Sequence, residues 1–195
     1  MKTHSCLLVL CLCLGFCALS RAAAVPDAAP SPDSRSPFMP AALFAQWGRA
    51  SETTAVTAGA QWDFNRHWSI GARGMAAAYS ELSLGHWRAH DDGGYAAVTQ
   101  FGFTPTLRYW PTGAAAGWFI EGGIGANVLA PLYRSHRKRF STAFNFGSHI
   151  GVGYRVHAKH PWEWLLRVEH FSNADIKTPN PGLNFVQLRL AMRLE

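Results

Sequence analysis

The stretch "WFIEGGIGANV", residues 118–128, decides the fold. Trp118, Ile120, Ile124, Ala126 and Val128 fall on one side of a two-residue repeat, and Glu121, Gly123, Gly125 and Asn127 on the other. Side chains of a β-strand alternate between its faces, so the run predicts a strand with one apolar face and one polar face. The same period recurs in "TAVTAGAQWDF" (54–64), in "FNFGSHIGVGYRV" (144–156) and from Asn184 to Leu194. Eight strands are expected near 41–49, 54–64, 67–82, 95–110, 116–130, 141–156, 162–172 and 184–194. Several have 11 or more residues, whereas soluble strands average about 5–6 and a tilted membrane crossing needs about 9–11. A soluble lipocalin-like barrel would put the apolar face inside. Here the polar face carries Glu121, Asn127, His149, Arg155, Arg167, Glu169 and Arg189. The pattern therefore predicts an all-β protein, an eight-stranded antiparallel transmembrane β-barrel of the bacterial outer membrane, apolar outside and polar within.

The rest of the 195-residue chain fits that location. Residues 1–24 read as a secretory signal peptide, with Lys2, an apolar run and the small residues Ala22, Ala23 and Ala24 at the cut. All four cysteines, Cys6, Cys11, Cys13 and Cys17, belong to it, which leaves no thiol or disulfide chemistry afterwards. Residues 25–40, rich in proline and serine, are expected to be a flexible leader, and 41–195 the barrel. Removing Lys2 and Arg21 from the 18 Lys and Arg leaves 16 against 12 Asp and Glu, a net charge of +4. That mild excess suits phosphates or anionic headgroups.

The connections alternate in character. "NRH" (65–67), "PTGAA" (111–115) and "HAKHP" (157–161) are short and predict periplasmic turns, with Trp62, Trp68, Trp110, Trp118, Trp162 and Trp164 as an aromatic girdle beside them. "SLGHWRAHDDGG", "LYRSHRKRF" and "NADIKTPNPGL" are longer or more polar and predict the outer loops. Pro105 within the fourth strand reads as a bulge or kink.

Parity locates the chemistry. In "WEWLLRVEHFS" (162–172), Trp164, Leu166, Val168, His170 and Ser172 share the lipid face, while Glu163, Arg167 and Glu169 point inward. Asn184 shares outward parity with Val186 and Leu188 on the last strand. Polar groups on a lipid face are costly unless they bond one another or a headgroup, which marks the trio as a candidate site. Serine becomes a nucleophile when a base takes its proton, and a histidine base must be held in one tautomer. Ser172, His170 and Asn184 supply those three parts.

"HFSNADIKTPNPGLN" (170–184) resembles the signature of the lipid A 3-O-deacylase family, outer-membrane barrels that remove the acyl chain at position 3 of lipid A. The resemblance implies a serine esterase with His170 as base, Ser172 as nucleophile and Asn173 helping to form the oxyanion hole. Asn184 stands where that family has a glutamate; an amide orients the imidazole without supplying charge, and Asp175 is a neighbouring acid able to contribute. The basic loop offers Arg134, Arg137, Lys138 and Arg139 to lipid A phosphates, against the plainer reading of a solvated loop. The expected partner is lipid A or lipopolysaccharide in the outer leaflet, with a homodimer as a second possibility and no nucleic acid. No HExxH, CxxC or glycine-rich phosphate loop occurs, so no cofactor and no metal is expected. Two rival readings are a catalytically silent structural or adhesion barrel and a small channel, the latter disfavoured because side chains fill an eight-stranded interior.

Overall fold

The computed structural model describes residues 38–113, 116–156 and 161–194. The signal peptide expected over 1–24, and all but the last three residues of the leader, lie outside the described residues. Eight strands form one closed antiparallel barrel: β1 (Ala42–Ala50), β2 (Thr53–Ile70), β3 (Gly74–Asp91), β4 (Gly94–Trp110), β5 (Gly117–Ala130), β6 (Phe144–Arg155), β7 (Trp162–Ser172) and β8 (Leu183–Arg193). Each pairs with the next, and β1 closes the ring on β8 through Ala42↔Arg193 to Arg49↔Val186. The alternation is as the sequence dictates, with Trp164, Leu166, Val168, Val186 and Leu188 exposed on the outside and Glu163, Arg167, Glu169, Gln187 and Arg189 buried inside.

The interior is filled in layers. At the outer end Trp87, Phe171, Phe185, Leu183 and Leu129 pack together, and Tyr133 and Phe140 from the β5–β6 loop close over them. The middle is ionic. Arg189 and Arg167 both bond Glu81, and Arg108 bridges Glu121 and Glu163, the latter also held by Arg155. Opposite charges this well paired offset the cost of removing each from water. Toward the opposite end Trp110, Phe119 and Leu165 form a second apolar cluster.

Four local expectations need correction. β2 does not stop at Phe64: it runs on to Ile70 across a bulge in which residues 64–66 oppose Ala78 alone, so "NRH" is strand and the turn lies at 71–73. β3 likewise continues through "SLGHWRAHD" to Asp91, leaving Asp92-Gly93 as a tight outer turn rather than a long loop. Its outward residues His86, Arg88 and His90 are polar, so no apolar alternation marked the strand. Pro105 makes no bulge. β4 keeps its register against β3 at Ser80↔Pro105, and against β5 the pairing lapses at residues 104–105 and resumes in the same register. Trp110 also leaves the expected girdle, because its parity points it inward onto Phe119.

Candidate active site

β7 and β8 place the trio. His170 is paired directly with Asn184 across the ladder, and Ser172 closes β7 two residues beyond, on the same outward face. Residues two apart on a strand stand about 6.6–6.8 Å apart along it, so the imidazole and hydroxyl are neighbours on the surface. Between them Phe171 points inward and is fixed edge-on against Trp87, with ring centroids 4.8 Å apart, and against Phe185 at 5.8 Å. The packed residue thus anchors the backbone from which both reactive groups project.

The ring orientation follows from its bonds. His170 Nδ1 lies 2.5 Å from Asn184 Oδ1. An amide oxygen carries no proton, so Nδ1–H is the donor, and in the neutral ring the lone pair is then on Nε2. Gly182, at φ +61°, lies against the ring; a Cβ there would stand 2.7 Å from His170 Cε1. Ser172 Oγ has no hydrogen-bond partner among the described residues. A free hydroxyl beside an oriented base is a common resting geometry, since catalytic hydrogen bonds often tighten only with substrate.

The loops beyond the strands are tied together around this point. Asn173 is buried; its Nδ2 donates to Ser141 Oγ, Thr142 Oγ1 and the Lys177 carbonyl, and its N–H donates to Asn180 Oδ1 at 3.0 Å. Both donors of the residue assigned to the oxyanion hole are thus engaged in this state. Ala174 and Asp175 follow at φ 52° and 61°, two consecutive left-handed residues that turn the chain sharply. Asp175 Oδ1 accepts from Asn180 Nδ2 at 3.1 Å. In the basic loop, Lys138 Nζ donates to the Gly182 carbonyl at 2.7 Å, Arg134 pairs with Asp91 and Arg137 with Glu52, while Arg139 forms a backbone bridge with Arg134.

Sequence reasoning missed three residues here. Ser148 on β6 pairs with His170 from the side opposite Asn184 and faces outward; its parity with Ile150 was the available signal. Asn180 and Gly182 sat in a segment read as a turn, and nothing local foretold that they would fold back onto Asn173 and the imidazole.

Residues 54–193 match the family described as lipid A 3-O-deacylase (PagL). The chain is 42% identical over 108 residues to the lipid A deacylase PagL of Bordetella bronchiseptica, a match covering 55% of this chain and 57% of that relative. It is 28% identical over 130 residues to the lipid A deacylase PagL of Pseudomonas aeruginosa, covering 67% and 72% respectively. The crystal structure of the outer membrane enzyme PagL superposes with a TM-score of 0.70 at 25% identity, covering 79% of this chain and 100% of that one.

Proposed function

Because the chain belongs to the lipid A 3-O-deacylase family, we propose that it hydrolyses the ester at position 3 of lipid A with Ser172 as nucleophile and His170 as base. The protein is an outer-membrane β-barrel enzyme of the ester hydrolase class, and its substrate lies in the leaflet that surrounds it. Ser172 Oγ attacks the acyl carbonyl while His170 Nε2 takes the hydroxyl proton. Collapse of the tetrahedral intermediate breaks the bond to the sugar oxygen, which receives that proton and leaves as a hydroxyl. Water, deprotonated by the same Nε2, then attacks the acyl-serine and releases a hydroxy fatty acid. Throughout, Asn184 Oδ1 holds the Nδ1 proton and keeps the ring aligned.

The observation that supports this reading best is the outward pairing of His170 with Asn184 beside Ser172. A polar trio facing hydrocarbon has little structural use, and an acyl chain already in the leaflet reaches it laterally. For the oxyanion, Asn173 N–H is the proposed donor, exchanging Asn180 Oδ1 for the substrate oxygen as the ester docks. Direct phosphate contact by Arg134, Arg137, Lys138 and Arg139 is a secondary proposal, since three of them already hold protein partners. A homodimer has no supporting observation.

The test is mass spectrometry of lipid A from cells expressing the chain, its His170→Ala variant or its Ser172→Ala variant. Loss of one hydroxyacyl chain is expected with the unsubstituted protein alone, both variants remaining heat-modifiable barrels. Unaltered lipid A in all three would leave a catalytically silent barrel.

A further inference from the structure

Two to four strands round the wall from β7, the barrel carries a second, basic feature. Arg49, the penultimate residue of β1, and Arg88 on β3 both point outward and are exposed. The pairs Val168↔Val186, Val186↔Arg49, Arg49↔Thr54 and Thr54↔Arg88 make one continuous row from β7 to β3. That row lies a single outward position below His170 and Asn184. At a strand spacing of about 4.8 Å, Arg49 lies two strands, about 10 Å, round the wall from Val168, and Arg88 four strands, about 19 Å or half the ring.

Neither guanidinium has a carboxylate partner among the described residues. By contrast, Arg134, Arg137, Arg193 and the lumen arginines are all paired. Arg88 lies 3.9 Å over the Tyr95 ring, a contact that fixes its direction and leaves its donors free. Arg49, Thr54, Arg88, His90 and Tyr95 line a cleft of about 280 Å³ together with Glu52. Glu52 would repel an anion there, but Arg137 holds it at 3.1 Å. An unpaired cation on the membrane-facing wall is unfavourable unless an anionic headgroup answers it.

We propose that Arg49 and Arg88 form a docking site for a phosphate of the lipid A headgroup, placed so that a substrate held there lays its ester against Ser172. This deepens the reading of Ser172 as nucleophile and rests on it for the position of the ester. Guanidinium forks bind phosphate oxygens two at a time, which favours phosphate over a zwitterionic headgroup.

Binding by the Ser172→Ala protein tests the site without turnover. The ligands are vesicles bearing lipid A, vesicles bearing enzymatically dephosphorylated lipid A, and phosphatidylglycerol vesicles. Tighter binding of lipid A than of either alternative is expected. Arg49→Gln and Arg88→Gln should each reduce lipid A binding about tenfold, with much smaller losses on the dephosphorylated lipid and partial retention by Arg→Lys variants. Equal affinity for the two forms of lipid A, or equal losses on both, would overturn the proposal. So would phosphatidylglycerol binding as tight as lipid A, which reduces the cleft to a general anionic-lipid contact. A protein that binds as expected yet fails to deacylate counts against the nucleophile, not against the docking site.

Discussion

Asn184 Oδ1 accepts the Nδ1 proton of His170 across the β7–β8 ladder, so the imidazole is steadied by an amide dipole and not by a charge. The His–Asn arm of the proposed triad is formed, and it carries no anion. Asn184→Leu removes the acceptor and should lower the deacylation rate by about 10²-fold or more. Asn184→Glu restores a charge that stabilises the imidazolium in the transition state and should raise the rate. Lipid A turnover in detergent micelles measures both. A slower Asn184→Glu enzyme would mean that the cavity beside the ring is built for the amide.

Ser148 and Ser172 both neighbour His170, one across the β6–β7 ladder and the other two residues on along β7. Ser172→Ala should abolish reaction with a serine-directed fluorophosphonate, and Ser148→Ala should leave it intact. Mass spectrometric location of the adduct on Ser148 would reverse the assignment.

Gly182 is held at φ +61° with the imidazole where a Cβ would be. Gly182→Ala strains the backbone and pushes the ring from its bond to Asn184. Deacylation is expected to fall by at least about tenfold, as small misplacements of a catalytic group are costly, with the barrel still heat-modifiable.

The β5–β6 loop is also tied to the β3–β4 turn through His136 and Asp92. Their hydrogen bond, and then the carboxylate charge, raise the His136 pKa above its ordinary 6.5, with Glu52 adding to the rise and Arg137 opposing it. The same bond lowers Asp92 below 3.8, with His136, Arg139 and His90 contributing charge. The Asp92 contribution is present above its ordinary value and lost as pH falls through the lowered one. The His136 contribution is complete below 6.5 and lost as pH rises through the raised one. Hydrogen-exchange protection of residues 131–143, taken relative to the intrinsic rate at each pH, should therefore be greatest between those limits and fall on the alkaline side. His136→Ala should remove the alkaline step.

Glu81 accepts from Arg189, Arg167 and Gln61 in the middle of the lumen. Glu81→Ala leaves two buried cations without their shared anion and should destabilise the barrel by about 3–5 kcal/mol. The temperature at which the folded band is lost on gel electrophoresis should drop accordingly.

Much of this was legible from the two-residue repeat alone. Parity placed Glu163 and Glu169 inside and His170, Ser172 and Asn184 outside, because alternation is a local property of the strand. Strand ends were less legible where the outward face turns polar, as at His86, Arg88 and His90, since the signal being read was apolar alternation. The approach of Gly182 to His170 and of Asn180 to Asn173 depends on how two loops settle on a finished rim. Trp110 was misplaced through its company: it stands among girdle tryptophans in sequence but opposite them in parity.

The aromatic plug and ionic middle of the lumen also bear on the second half-reaction. Aromatic and ionic side chains fill much of the lumen among the described residues, so the water that would cleave the proposed acyl-serine is expected to arrive from the loop-bearing end beside Ser172. Ser172, as the last residue of β7, stands at the shoreline where hydrocarbon gives way to wet loops. Moving the proposed nucleophile even one outward position deeper would keep it in contact with fatty chains and strand the proposed acyl-enzyme in a dry environment.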